Sequence, residues 1–462
     1  MTVVKYKILD EIALIEISNP PVNAISGDVR IGLLDTINKL AENDLIKAIV
    51  ITAPERTFLA GADIKEFGRN IDAPVLGEIC DIIENLDKIV VASLHGTPLG
   101  GGLEVAMSAH YRIAAPKTKV GLPEVLLGIL PGAGGTQRLP RLCGVSMALD
   151  MMLTGKHVNV EDAFKNGIID EIAPDGNTVE NGIEYAKKLI DKGFAVRPTS
   201  KKIDKINNRE EINKVIQKIK LDTLSKSKNL FSPHAIIKSV EQGLDLDFAS
   251  SIQNERKLFK ECIESPQRQG LIHSFFSERA NTKVPELEKG NAKELNKIGV
   301  IGGGTMGTGI SMAAMNAGLS VIMIEQDKAS IDKALGKINA TYDRNVKLGR
   351  ISIEQKNQIM SLFSAVTDMG MLSDRDLVIE AVFEEMEVKK EVFIKLNKIC
   401  NENCILASNT SYLNVNEIAS VVNDPSRVIG LHFFSPANIM KLLEIVVADK
   451  TSNDTVATAF SL

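Results

Sequence analysis

The sequence predicts an α/β protein built as two α/β units with a helical stretch between them. Three observations carry that reading. Short β-rich runs alternate with Gly- and Ala-rich helical patterns over 1–190. Glycines thin out and charged helical patterns dominate over 191–295, and a strand, a Gly-rich loop and a helix then follow one another from Lys297 onward. Ordinary domains hold roughly 100 to 200 residues each, so a chain of 462 residues has room for the three segments 1–190, 191–295 and 296–462.

Taken in order, Ile46–Thr52 (IKAIVIT) and Ile89–Leu94 (IVVASL) read as buried strands, the second running into His95 and the Gly100-Gly101-Gly102 run. In the middle segment, Ile212, Val215, Ile216 and Ile219 share one helical face, and Leu271, Ile272, Phe275 and Phe276 form a second apolar group that calls for burial. Lys283–Leu295 is polar and carries Pro and Gly, as a domain boundary does. Beyond it, Ile298–Ile301, Leu319–Ile324, Leu377–Ile379 and Ile405–Ala407 read as strands, with a helix around Lys389–Lys398. No internal repeat is present.

Composition narrows the function classes. The chain is 44% hydrophobic and 24% charged, which excludes a disordered or collagen-like polymer. A formal net charge of −5 implies no nucleic-acid partner. The five cysteines are odd in number and mostly far apart, which fits a reducing compartment. MTVVKYKILDE carries no signal-peptide pattern, and no apolar run is long enough to span a bilayer, so a soluble intracellular protein without membrane insertion is expected. His95, His110 and His157 lack ligand spacing, Cys400 and Cys404 have no partner pair, and no metal is expected.

Gly302, Gly304 and Gly307 match G-x-G-x-x-G between a strand and a helix. The first glycine allows the turn, the second lets the backbone approach a pyrophosphate, and the third permits close helix–strand packing. Thr305 and Met306 open the helix, whose free N–H groups favour phosphate. Glu325, closing the next strand, suits the hydroxyls of an adenine ribose and opposes a 2′-phosphate, which favours NAD over NADP. The competing reading is a surface loop, and the strand and helix on either side weigh against it. His432 in GLHFFSP reads equally as a core residue or as a general base, with Glu444 to fix its tautomer and Ser411 as a helper.

In the first segment, Ala60-Gly61-Ala62-Asp63 and Gly100–Gly102 each follow a strand and could converge backbone N–H groups on one carbonyl oxygen. Glu104 and Glu124 supply the two carboxylates that hydration of an activated alkene requires, one as base toward water and one as acid toward carbon. Either glutamate alone would read as a solvated helix residue. The glycine run and the apolar VGLPEVLLG segment give the pair its weight.

TFLAGADIKEF (57–67), HGTPLGGGLEVAM (95–107) and VGLPEVLLGILPGAGGTQRLPR (120–141) resemble the enoyl-CoA hydratase/isomerase, or crotonase, family. IGVIGGGTMGTGI (298–310), ILASNTS (405–411) and GLHFFSPANIMKLLEIV (430–446) resemble the L-3-hydroxyacyl-CoA dehydrogenase family. Their order is similar to that of the multifunctional enzymes of fatty-acid β-oxidation, the peroxisomal-type bifunctional branch and its bacterial relatives, and the likeness extends over essentially the whole chain. It implies a crotonase-type ββα-superhelix domain, a helical linker and a Rossmann NAD-binding domain.

Carried over by motif, Ala62 and Gly101 would donate to the thioester carbonyl, Glu104 and Glu124 would form the acid/base pair, and Ala60, Ala62, Asp63, Ile64 and Gly101 would border the acyl-CoA. His432 would accept the 3-hydroxyl proton, Glu444 would orient it and Ser411 would contact the substrate oxygen. Gly302, Gly304, Thr305, Met306, Gly307 and Glu325 would hold NAD, with Glu384 and Lys389 on its nicotinamide-ribose side. Ser435 stands where many relatives have Asn, and the peroxisomal-type branch shares that feature.

The family continues into helical substrate and dimerisation domains, whereas this chain stops at Leu462. The resemblance therefore implies a C-terminally truncated enzyme with an active hydratase half, and leaves the activity of the dehydrogenase half open. Its partners would be acyl-CoA thioesters and other β-oxidation enzymes, in the cytoplasm of a bacterium or the peroxisome of a eukaryote. Two further readings are a Δ3,Δ2-enoyl-CoA isomerase and a non-catalytic CoA- and NAD-binding assembly protein.

Overall fold

The computed structural model describes residues 2–66, 72–227, 229–281 and 283–462. The chain divides into the units Met1–Arg279 and Ala280–Leu462, so residues 191–279 belong with the first unit and 280–295 with the second. No helix among the described residues is long and apolar enough to cross a membrane.

The first unit opens with the antiparallel strands β1 (Val4–Leu9) and β2 (Ile12–Ile17). It continues with β3 (Ala48–Thr52), β4 (Ile89–Leu94), β5 (Tyr111–Ala114), the short pair β6 (Lys119–Val120) and β7 (Val158–Asn159), and β8 (Glu171–Ile172). The described strands form a six-stranded sheet in the order β1-β2-β3-β4-β5-β8, parallel from β2 onward. A strand covered on both faces must be apolar at successive positions. Accordingly, Ile49 and Ile51 of β3 join the core beneath helices Gly27–Ala41 and Leu76–Glu84. Ala48 and Val50 face the other way, toward Tyr185, Ala186 and Leu189 of helix Thr178–Asp191.

The strand expected from Ile46 begins two residues later, at Ala48, and β1 and β2 are strands that the pattern reading did not identify. Five of the six β1 residues are exposed, so only Val4 among its apolar residues joins the core.

Helices then wrap this sheet. Ile212 and Ile216 of helix Arg209–Lys226 are buried, as their shared face predicts. The second apolar group behaves otherwise. Helix Pro266–Ala280 buries no residue fully, and Phe276 is exposed. Only part of that stripe finds a neighbour; Leu271 lies against Gly128, 2.9 Å from where a Cβ there would sit.

In the second unit the strands are β9 (Lys297–Ile301), β10 (Ser320–Ile324), β11 (Phe363–Val366), β12 (Leu377–Glu380), β13 (Ile405–Ser408), β14 (Val428–Phe433) and β15 (Leu443–Val446). Their order is β11-β10-β9-β12-β13-β14-β15, parallel except for the antiparallel edge strand β15. Strand order reverses between β9 and β12, and at such a switch point the loops leaving the carboxyl ends diverge to make a crevice. Alternate residues again serve two cores: Ile298 and Val300 one, Ile301 the other.

Close backbone approach governs the first unit's glycine run. A Cβ on Gly102 would lie 2.1 Å from the Leu59 carbonyl oxygen. Gly102→Ala is expected to destabilise the protein by about 3 kcal/mol, because neither backbone can retreat in a filled core. Chemical denaturation followed by far-UV circular dichroism measures this, and an unchanged midpoint would refute the packing argument.

Candidate active sites

In the first unit, two turns at the ends of β3 and β4 meet a third segment following β6. Ile25 and Ala62 form an isolated bridge, with Ile25 N–H donating to Gly61 O (2.8 Å) and Asp63 N–H to Ile25 O (3.3 Å). A Cβ on Gly101 would sit 3.4 Å from the Ala62 nitrogen, so the two turns are in contact. Among the described residues, no hydrogen bond uses the N–H of Ala62 or of Gly101. Ala60, Asp63 and Ile64 lie half-buried beside them, and Phe67, the last residue of that motif, lies outside the described residues.

Glu104 projects from the first turn of helix Gly101–Ser108 and is buried. Its Oε1 accepts the N–H groups of Ala133 (2.7 Å) and Gly135 (2.8 Å). Burial raises its carboxyl above the usual range, and those two amides, with Arg138, work against the rise. Glu124 starts the 3-10 turn Glu124–Leu127 and is also buried. Its Oε1 lies 2.9 Å from where a Cβ on Gly100 would stand, while Oε2 has no hydrogen-bond partner among the described residues. Burial first, then the charge of Glu104, pushes its proton affinity well up. Two carboxylates in one buried site, one gripped by amides and the other not, cannot ionise equally.

In the second unit, Gly302 takes φ +97° at the end of β9, and a Cβ on Gly307 would lie 1.7 Å from Gly302 O. The turn and the tight helix–strand approach thus need those two glycines, whereas Gly304 faces open space. Helix Thr305–Asn316 starts there, with Thr305, Met306 and Gly307 in its first turn. Glu325, just past β10, accepts the Gly303 N–H on Oε1. The glycine cradle and the free helix end fit a dinucleotide pyrophosphate.

His432 on β14 stands opposite Glu444 on β15, and its Nδ1 lies 2.8 Å from Glu444 Oε2. Ser411 follows β13 at the same end of the sheet, but its N–H (2.7 Å) and hydroxyl (3.2 Å) both donate to Glu384 Oε1 rather than to His432. The loop after β13 thus folds onto Glu384. Lys389 is buried, with Nζ 2.8 Å from Glu380 Oε1 and 3.1 Å from Glu384 Oε2. Burial opposes ionisation of Glu384, yet hydrogen bonds from Thr410, Ser411 and Lys389 hold its carboxyl down at about 2.

Residues 7–229 match the family described as enoyl-CoA hydratase/isomerase, and residues 297–462 match that described as 3-hydroxyacyl-CoA dehydrogenase, NAD binding domain. The chain is a crotonase-family domain fused to a 3-hydroxyacyl-CoA dehydrogenase NAD-binding domain. It is 36% identical over 453 residues to the peroxisomal fatty acid β-oxidation multifunctional protein AIM1 of Arabidopsis thaliana, covering 96% of this chain and 63% of the relative. It is 37% identical over 462 residues to the peroxisomal bifunctional enzyme of Homo sapiens, covering 98% of this chain and 62% of the relative. The chain thus spans under two thirds of the length of these curated relatives. A solved 3-hydroxybutyryl-CoA dehydrogenase from Escherichia coli aligns with a TM-score of 0.36 at 35% identity, over 36% of this chain and 35% of its own.

Pattern reading missed three buried carboxylates, Glu84, which pairs with Arg138, and two more. Glu380, at the end of β12, is fully buried and accepts from Lys389, Val382 N–H and Ser408 Oγ. Glu255, on helix Phe248–Glu264, lies beyond the residues that match the crotonase family, and its oxygens take the N–H groups of Gly134 (2.6 Å) and Thr136 (3.0 Å). Its signal is a charge placed on an apolar helical stripe, between Ile252 and Leu258.

In the dehydrogenase domain, Glu325→Ala would free the Gly303 amide and remove the acidic side chain from the cradle. Losing one charge-assisted hydrogen bond worth about 1.5 kcal/mol or more should weaken NAD binding roughly tenfold. Isothermal calorimetry with NAD reads this, and an unchanged affinity would refute the role.

Proposed function

We propose that the crotonase domain hydrates 2-trans-enoyl-CoA to L-3-hydroxyacyl-CoA, and that the dehydrogenase domain oxidises that alcohol to the 3-ketoacyl-CoA with NAD. The observation that carries the first half is the unequal pair of buried glutamates beside two unengaged amides. Glu104, its charge supported by Ala133 and Gly135, is the base that takes a proton from water. Glu124, kept protonated by burial and by the neighbouring charge, delivers its proton to C2.

The oxygen of water bonds to C3 as the C2=C3 π bond opens. The charge that collects on the thioester oxygen is taken by the N–H groups of Ala62 and Gly101. Donors already held by folded turns pay no reorganisation cost when that charge develops. Ala60, Asp63 and Ile64 border the acyl-CoA. Two carboxylates with separated roles favour hydration over the Δ3,Δ2-isomerisation that one shuttling glutamate can perform.

In the second domain, bound NAD would supply the hydride acceptor for C3 of the alcohol. The chain's own part is the proton: His432 Nε2 accepts it from the hydroxyl, because Glu444 occupies Nδ1 and supports the resulting imidazolium. Gly302, Gly304, Thr305, Met306, Gly307 and Glu325 seat the cofactor. Lys389, neutralised by Glu380 and Glu384, fixes the nicotinamide side, and Ser411 reaches the substrate oxygen from the loop held by Glu384. We place the enzyme in the peroxisome of a eukaryotic source or the cytoplasm of a bacterial one, alongside other β-oxidation enzymes.

Loss of the enone absorbance of crotonyl-CoA reads the first activity. Glu124→Gln and Glu104→Gln should each lower kcat by roughly 10²- to 10⁴-fold, the usual contribution of a positioned acid or base. A folded variant retaining wild-type turnover would overturn the assignment. His432→Ala should lower NADH formation from 3-hydroxybutyryl-CoA by a similar factor while leaving hydration intact. Loss of both activities together would contradict the division of labour between domains.

A further inference from the structure

The loop Ala133–Thr136 has four successive amides, and two buried carboxylates take them alternately. Glu104 Oε1 accepts from Ala133 (2.7 Å) and Gly135 (2.8 Å). Glu255 Oε1 accepts from Gly134 (2.6 Å), and its Oε2 accepts from Thr136 N–H (3.0 Å) and from the Thr136 hydroxyl. Glu255 is wholly buried. Its helix is fixed along the same loop: a Cβ on Gly132 would lie 2.5 Å from the Phe259 ring, and one on Gly134 would lie 3.3 Å from Ile252 Cδ1. The Thr136 hydroxyl also meets Ser239 Oγ at 2.7 Å, which ties in helix Phe231–Gly243.

A loop so short cannot move one amide without moving the next. We propose that Glu255 is a positioning residue for the hydration site, gripping Gly134 and Thr136 so that the amides of Ala133 and Gly135 stay on Glu104. This rests on the hydratase reading given above. Glu255 touches neither Ala62 nor Gly101 nor any reacting atom, and acts only through the loop and through its charge.

The charge matters because of what surrounds it. Glu104 comes from helix Gly101–Ser108, Glu124 from its 3-10 turn and Arg138 from helix Gly135–Cys143; helix Phe231–Gly243 contributes the neutral Ser239. Burial and then Glu104 raise the Glu255 carboxyl to about 8, so its charge develops toward alkaline pH, and there it is one of the charges that raises Glu124. Removing the Glu255 charge therefore lets Glu124 lose its proton at lower pH, whereas removing packing alone does not.

The test uses the full chain, with crotonyl-CoA hydration measured across pH for wild type, Glu255→Gln and Glu255→Asp, and with hydrogen exchange resolved to single amides. Glu255→Gln should lower kcat roughly ten- to hundredfold with KM within about twofold, the cost of a slightly misplaced base. The alkaline limb of its kcat/KM profile should shift to lower pH. Glu255→Asp, which keeps the charge, should restore the limb to its wild-type place. In Glu255→Gln the amides of Ala133 and Gly135, which Glu255 does not touch, should exchange faster than in wild type.

An unmoved limb, or wild-type protection at Ala133 and Gly135, overturns the proposal. If Glu255→Gln fails to fold, Thr136→Val decides, since it removes one donor to Glu255 and should speed exchange at the same two amides; unchanged exchange overturns the proposal there too. A wild-type enzyme that does not hydrate crotonyl-CoA would refute the hydratase reading instead, and the exchange measurement would still judge the hold of Glu255 on the loop.

Discussion

A carboxylate removed from water must find donors, or it takes up a proton instead. Glu104 is buried, and its Oε1 rests on two backbone amides, Ala133 and Gly135. The Gly135 amide is available because it opens a helix, where N–H groups lack intrahelical partners, and Ala133 lies in the turn just before that helix. The loop that presents them is held on its other side as well, by Arg138, whose guanidinium reaches Ala133 O (3.1 Å) and the carboxylates of Asp81 and Glu84. Sheet, glycine run and helical wrap all serve to bring this small arrangement to the end of β4.

Its consequence is an asymmetry between two glutamates of the same chemical type. Glu104 has amide donors, and Glu124 has an oxygen without a partner among the described residues, beside the charge of Glu104. The same side chain is thereby given a different proton affinity in each position. The dehydrogenase domain uses the opposite device. There a buried lysine neutralises two carboxylates, and Glu384, far from being protonated, is held ionised by hydrogen bonds from Thr410, Ser411 and Lys389.

Much of this was legible in the sequence because it is local. The Gly302-x-Gly304-x-x-Gly307 spacing states its own geometry, and the runs at 48–52 and 89–94 are apolar apart from Thr52 and Ser93 because both their faces are covered. Glu104 and Glu124 stood out beside glycine and apolar segments. What escaped pattern reading was set by distant contacts. Glu255 meets its partners 119 and 121 residues away in the chain, so only its intrusion into an apolar stripe hinted at it. The hold of Glu384 on Ser411, 27 residues downstream, is likewise a contact that spacing does not announce. Phe276 shows the converse, an apolar residue that packs edge-on against Phe275 yet stays exposed.

The central claim is that Glu124 holds its proton to higher pH than Glu104 does. Infrared difference spectroscopy of wild type against Glu124→Gln, both in the unliganded state at neutral pH, reads that directly. The account predicts a protonated carboxylic-acid carbonyl stretch in wild type that vanishes in the variant. A difference spectrum showing only loss of carboxylate bands would mean that Glu124 is ionised and that the division into acid and base is wrong.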